Sequence, residues 1–248
     1  TVNYGSAAAK SEVYVLRLPE HQVIPIVTDV PARFVGRIGG ETLFLQTNWQ
    51  AENGRILAVP LSKPHRENWK VIVPEDPTAT LQSFSLVQGK LFVSHLKNVV
   101  SRQTIYTPEG VKLGEVPFPA LGTGGVVGQW DRREAFFEFT NFITPRTTYH
   151  YDPEHNRLGD VWFRPNVRVD SDRFVVQQVW YASKDGTKVP MFLVHRRDIE
   201  RNGNNPVFLT GYGGFNISLT PGFSVWRLVL LEEGFVFAMP NIRGGGEF

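Results

Sequence analysis

From Val13 onward the chain is written in short apolar runs of strand length, set off by glycine, proline or acidic turns. Two leading strands are expected at Glu12 to Leu18 and Val23 to Val27. After them one order recurs: a hairpin, a third strand, then a fourth strand beside a proline or acidic turn. Ile26, Val71, Val116 and Val161 mark the last strand of each unit and follow one another in steps of 45 residues. Leu43, Leu91 and Phe136 mark the second strands, in steps of 48 and 45, and the turns before them carry Gly39-Gly40, Gln88-Gly89 and Asp131. Four short strands in about 45 residues is the content of one β-propeller blade. A β-sandwich with evenly spaced strands is the alternative, but sandwiches rarely keep four units in register. About 3.5 blades are visible, whereas a ring closes with about four to eight. The chain is therefore expected to be an excerpt of something longer, with Thr1 a cut or processed end.

After Phe163 the period is lost. Val175 to Tyr181 and Lys188 to His195, joined through Asp185-Gly186, predict an antiparallel hairpin. A polar connection, RRDIERNGNN, leads to a strand of buried type at Val207 to Thr210. A glycine-rich loop follows, then an apolar helix over Phe223 to Glu233 closed by Gly234, then a second buried-type strand, Phe235 to Met239. Val225, Trp226, Leu228, Val229, Leu230 and Leu231 surround that helix with apolar side chains, so cover on more than one side is expected. Hairpin, strand, loop, helix, strand is the opening order of an α/β-hydrolase sheet, in which the strand-to-helix loop helps form the oxyanion hole. The boundary is placed between 1–165, the propeller blades, and 166–248, the incomplete start of the hydrolase domain.

Charge and composition narrow the chemistry. Twenty-six Lys and Arg balance twenty-four Asp and Glu for a net +2, so neither a nucleic-acid backbone nor a membrane is an expected partner. No apolar run approaches the ~18 residues of a membrane helix. The absence of cysteine removes disulfides, thiolate metal sites and a cysteine nucleophile. It does not separate an oxidising compartment from a reducing one; the cytoplasm is the expectation and the periplasm the alternative. His21, His65, His95, His150, His155 and His195 are scattered without a metal-ligand pattern, so no metal site is expected.

The candidate site is GYGGFN, Gly211 to Asn216, directly after the first buried-type strand of the last third. Ligands of open α/β sheets bind beyond the carboxyl ends of the strands, where this loop falls. Gly211, Gly213 and Gly214 let backbone amides approach a substrate oxygen. Tyr212 offers an O–H donor and Phe215 an apolar ring. A tight loop with core aromatics is the competing explanation. Arg243 could line the site, although the three glycines after it equally suit a backbone packing loop.

Three stretches, YASKDGTKVPMFLVHRR from Tyr181, GYGGFNISLTPGFS from Gly211 and NIRGGGEF from Asn241, resemble the prolyl oligopeptidase family of serine peptidases, with EFTNFITP from Glu138 a weaker fourth. The resemblance implies a seven-bladed propeller joined to an α/β-hydrolase domain, no cofactor, and cleavage of short proline-containing peptides after proline through an acyl-enzyme. By position it implies that Tyr212 stabilises the oxyanion, and that Phe215, with Gly213 and Gly214, helps bind substrate at the proline pocket. Oligopeptidase B, a relative preferring basic residues, has a different string where GYGGFN stands.

The family's nucleophile lies in a G-x-S-x-G elbow followed by Asp and His. That string is absent; GFSVW has Trp226 in place of its last glycine, and Ser224 suits a helix cap instead. The piece alone is thus expected to be inactive and to need the rest of its polypeptide. No dinucleotide fingerprint or Walker lysine is present. Glu232-Glu233 suits a solvated helix tip, and the Asn216-Ile217-Ser218 glycosylation triplet is taken as chance. A non-catalytic propeller that binds peptides or proteins is the alternative function.

Overall fold

A computed structural model describes residues 1–4, 10–200 and 202–246. The alternating runs fold as strands. First comes a three-stranded sheet, β1 (Val2–Tyr4), β2 (Lys10–Arg17) and β3 (Gln22–Val27). Three four-stranded sheets follow, each with its strands in sequence order. The first holds β4 (Phe34–Gly39), β5 (Thr42–Thr47), β6 (Arg55–Pro60) and β7 (Lys70–Val73). The second holds β8 (Thr80–Val87), β9 (Lys90–Lys97), β10 (Val100–Tyr106) and β11 (Lys112–Glu115). The third holds β12 (Thr123–Gly128), β13 (Ala135–Thr140), β14 (Thr147–Asp152) and β15 (Arg157–Phe163). Sequence-adjacent strands pair because the turns are short. Between β8 and β9 both turn residues, Gln88 at φ 47° and Gly89 at φ 68°, take the positive φ that a two-residue hairpin of type I′ needs. The 45-residue landmarks Ile26, Val71 and Val161 lie in the last strand of their sheets, and Val116 directly follows β11. The short β1 was not anticipated.

The chain divides into two compact units. One comprises Thr1–His95, Gln103–Glu115 and Gly128–Arg133; the other comprises Leu96–Arg102, Val116–Val127 and Glu134–Phe248. In the first unit the sheet β4–β7 is buried on both faces. Leu43, Leu45, Leu57 and Val59 join Val13 and Val27 on one side. On the other, Phe44, Ile56 and Ile72 join Leu81, Phe84, Leu91 and Val93. The pairing of Leu43 with Val59 and of Leu45 with Leu57 keeps each face in register. Sheets stacked face to face in series, each central strand apolar on both sides, is blade packing; a two-sheet sandwich would leave one face of each sheet polar.

In the second unit the hairpin β16 (Phe174–Ala182) and β17 (Lys188–Arg196) opens a sheet of order β16-β17-β19-β18, with β18 at Val207–Leu209 and β19 at Val236–Pro240. β17 and β19 are antiparallel, whereas β18 and β19 are parallel and joined through α1 (Val225–Glu232), the single α-helix among the described residues. Phe192 and Val194 of β17, Phe237 and Met239 of β19, and Leu228 and Leu231 of α1 share a core with Phe142, Ile143 and Phe174. The helix ends as its glycine predicts: Gly234, at φ 86°, donates its N–H to Leu231 and Phe235 donates to Leu230, a Schellman closure. Ser224 holds the N-cap position, but its hydroxyl makes no capping bond.

Two expectations need correction. β18 is not buried among the described residues: Val207, Phe208 and Leu209 are all exposed, β18 standing last in the order of its sheet there. Nor is α1 covered on more than one side, since Leu228 and Leu231 are its buried residues while Val225, Trp226 and Val229 face outward. Arg227, on the same helix, lies with its guanidinium 4.3 Å from the Phe237 ring centroid and 5.0 Å from that of Phe142. Burial lowers its pKa to about 10.

Candidate functional site

Strand β18 delivers the chain to the candidate loop. Thr210 extends the parallel pairing by donating its N–H to Ala238 O at 3.0 Å, and Gly211 then turns away beside Pro240. The loop is built on Arg243–Gly245, the backbone that follows β19. A Cβ on Gly213 would overlap Arg243 O, and one on Gly244, at φ 96°, would overlap Gly213 O. Glycine is required at both positions because two backbones are in contact there. Asn216 donates its N–H to Gly244 O at 3.1 Å and forms a parallel bridge with Gly245. Glu247 and Phe248, the end of NIRGGGEF, lie outside the described residues.

Within the loop, Ile217 donates its N–H to Gly214 O at 3.0 Å, closing a turn whose central residues Phe215 (φ 54°) and Asn216 (φ 59°) are both left-handed. A phenylalanine rarely adopts that region. Here it places the Phe215 ring at the loop tip, 90% exposed. The Tyr212 side chain folds back over the loop: its hydroxyl lies 2.6 Å from where a Cβ on Gly214 would be, so the missing side chain of Gly214 is what admits it. Tyr212 is 41% exposed, and its O–H makes no hydrogen bond among the described residues. The four residues expected from sequence, Tyr212, Gly213, Gly214 and Phe215, thus form one exposed loop with a donor on one side and an apolar ring at the tip.

Two contacts that support this loop have no counterpart among the expectations from sequence, which held only that Arg243 could line the site. Arg243 reaches the β16–β17 turn, donating from Nη2 to Asp185 Oδ2 and, at 2.7 Å, to Thr187 Oγ1. Asp185 also accepts the Thr187 N–H at 3.1 Å. That amide, the Thr187 hydroxyl and Arg243, in this order, hold the Asp185 carboxyl below its usual pKa. Asn241, 3% exposed, donates its side-chain amide to Leu219 O at 2.9 Å and its backbone N–H to Pro190 O at 3.0 Å, fixing the segment after the loop. Neither contact has a local signature, since Arg243 and Asp185 lie 58 positions apart. His155 pairs with Asp152 at 2.8 Å, and His195 is buried with Nδ1 2.7 Å from Arg196 O.

The blade-like sheets and this loop define a class. Residues 1–161 match the family model described as prolyl oligopeptidase, N-terminal beta-propeller domain, and the chain belongs to that family. The prolyl endopeptidase of Elizabethkingia miricola is 35% identical over 251 residues, covering 100% of this chain and 35% of its own length. Prolyl oligopeptidase A of Galerina marginata is 34% identical over 213 residues, 84% of this chain and 29% of its own. The chain therefore spans about a third of the length of such relatives. A solved structure from a mechanistic study of two prolyl endopeptidases superposes with a TM-score of 0.86 at 38% identity, over 96% of this chain and 35% of that one. Oligopeptidase B of Leishmania major, at 23% identity and a TM-score of 0.81, has the same fold.

Proposed function

We propose that this chain is part of a longer serine-type endopeptidase that cleaves short peptides after proline. In this reading residues 1–165 are propeller blades and 166–248 open an α/β-hydrolase domain. The parallel β18–α1–β19 crossover supports the second assignment, because such a crossover is the repeating unit of that architecture. The observation that carries the function is the exposed loop at the carboxyl end of β18, with the Tyr212 hydroxyl making no hydrogen bond among the described residues and the Phe215 ring open to a ligand. The relatives' names supply the reaction class.

The chemistry follows the acyl-transfer template. A serine from the rest of the protein adds to the carbonyl carbon of the substrate proline while a histidine, oriented by an aspartate, takes its proton. The carbonyl oxygen becomes an oxyanion, to which Tyr212 donates its O–H. Collapse expels the amine, which receives the proton from histidine, and water then hydrolyses the ester. A preorganised donor of this kind contributes about 2.7 to 4 kcal/mol to the transition state. Proline has no N–H within a peptide, so its pocket needs an apolar wall rather than an acceptor; Phe215 provides one, with Gly213 and Gly214 shaping the loop around it. Peptides are the expected partners, and a solved prolyl oligopeptidase B from Galerina marginata, bound to a 35-residue substrate, supports this at 30% identity.

The test uses the protein at its full natural length and two fluorogenic peptides that differ only in Pro or Arg before the scissile bond. Preferential turnover of the Pro peptide is expected. Preference for Arg would move the protein to oligopeptidase B specificity. No turnover by a folded protein would replace the peptidase reading with a binding module.

A further inference from the structure

The loop that carries Tyr212 rests through its backbone on the segment that follows β19. Gly213 abuts Arg243 O, Asn216 bonds to Gly244, and no side chain of Gly213 or Gly214 exists to hold them. What fixes Arg243–Gly245 is therefore what fixes the loop. That stretch has two glycines, Gly244 and Gly245, with Gly246 next to it, and little intrinsic stiffness. Its one long side chain, Arg243, spans to the β16–β17 turn, where Asp185 Oδ2 and Thr187 Oγ1 accept from it. The turn is a firm anchor: Ser183 and Thr187 close it by a backbone bond of 2.8 Å, and Asp185 also accepts the Thr187 N–H on its other oxygen, Oδ1.

We infer that Arg243 is a positioning residue for Tyr212, transmitting the rigidity of the β16–β17 turn through the Gly244–Asn216 contact to the hydroxyl. This rests on the assignment of Tyr212 as oxyanion donor. The pair contributes little to stability, because both side chains are more than half exposed and such pairs are screened by solvent. Its importance is geometric. An oxyanion donor works only at about 2.7 to 3.1 Å from the developing charge, and misplacement by about 1 Å costs up to about 10²-fold. Loss of one anchor of a glycine loop falls short of that, at about tenfold in kcat.

The experiment is a double-mutant cycle in the full-length protein with the Pro peptide: wild type, Tyr212→Phe, Arg243→Gln and the two combined. Arg243→Gln is expected to lower kcat about tenfold, with KM changed less than about twofold and the melting temperature nearly unchanged. In the Tyr212→Phe background the same substitution should change kcat less than about twofold, because there is no hydroxyl left to place. Arg243→Lys, which keeps the charge and one donor, should fall between. Raising the salt concentration should lower kcat of the wild type toward that of Arg243→Gln and leave the latter flat, since the pair is exposed.

An equal loss in both backgrounds, or an unchanged kcat for folded Arg243→Gln while Tyr212→Phe is impaired, would overturn this role alone. An unchanged kcat for Tyr212→Phe would overturn the oxyanion assignment and this inference with it. If Arg243→Gln does not fold, Asp185→Asn and Thr187→Ala remove the same anchor from its other end and must show the same dependence on Tyr212.

Discussion

The strands TLFLQT of β5 and VFL of β18 carry the same apolar signature and meet opposite fates. In β5, Leu43 and Leu45 are covered on one face and Phe44 on the other, because sheets stack on both sides of β4–β7. In β18 all three residues stay open, since β18 is an edge and α1 leaves much of its own apolar surface outward. An apolar run states that a strand requires cover; the topology decides which neighbour provides it. Contiguous exposed apolar surface of this kind marks a face that another element is meant to cover. The rest of the longer protein proposed above would supply that element.

Truncation at matched positions breaks the comparison most directly. Phe44→Ala empties a site with no exposure, and unfolding of the chain by urea should show a loss of about 3–5 kcal/mol. Phe208→Ala removes a ring that is 38% exposed and touches Phe237 at 6.1 Å and Trp226 at 5.2 Å. Its cost should be about 1 kcal/mol in the chain and larger in the full-length protein, where the edge is covered. Equal costs for the two rings in the chain would mean that β18 is already covered.

Two glycines sharpen the contrast between a contact glycine and a conformational one. Gly213→Ala forces a methyl against Arg243 O, so the loop must separate from Arg243–Gly245; a loss of about 1–3 kcal/mol is expected, together with a fall in kcat in the full-length protein. Gly89→Ala, at φ 68° with open space around it, should cost about 1 kcal/mol by calorimetry and leave kcat unaffected.

The smallest effect is the pH dependence of the Arg243–Asp185 tie. The Asp185 carboxyl titrates below its unfolded value, so its contribution is complete above the ordinary carboxylate range near about pH 3.9 and is lost as the pH falls through the lower folded value. Melting temperatures of wild type and Asp185→Asn should therefore differ slightly at neutral pH and converge in acid. A difference that grows on acidification would contradict the tie.

The repeat was legible because each blade repeats a local code: turn residues at Gly39-Gly40 and Gln88-Gly89, and strand periodicity between them. The hairpin around Asp185-Gly186 and the Gly234 helix stop were legible for the same reason, since each is fixed by residues adjacent in sequence. Exposure of β18 and of Val225, Trp226 and Val229 was not, because composition records affinity for cover and not its presence. The loop residues Tyr212 to Phe215 could be singled out by their glycines. Their clasp to Arg243–Gly245 and its anchor at Asp185 join segments far apart in sequence, and no spacing rule encodes such a contact. The left-handed Phe215 was likewise invisible, since the turn that imposes it depends on Gly214 and Asn216 being held by Gly244.

The central claim is that the loop after β18 supplies a transition-state donor. Its most direct test is the kcat of Tyr212→Phe in the full-length protein on the Pro peptide, with the fold checked by melting. Loss of one hydroxyl without loss of the ring should lower kcat about 10²- to 10³-fold and leave KM nearly unchanged. An unchanged kcat in a folded variant would contradict the account.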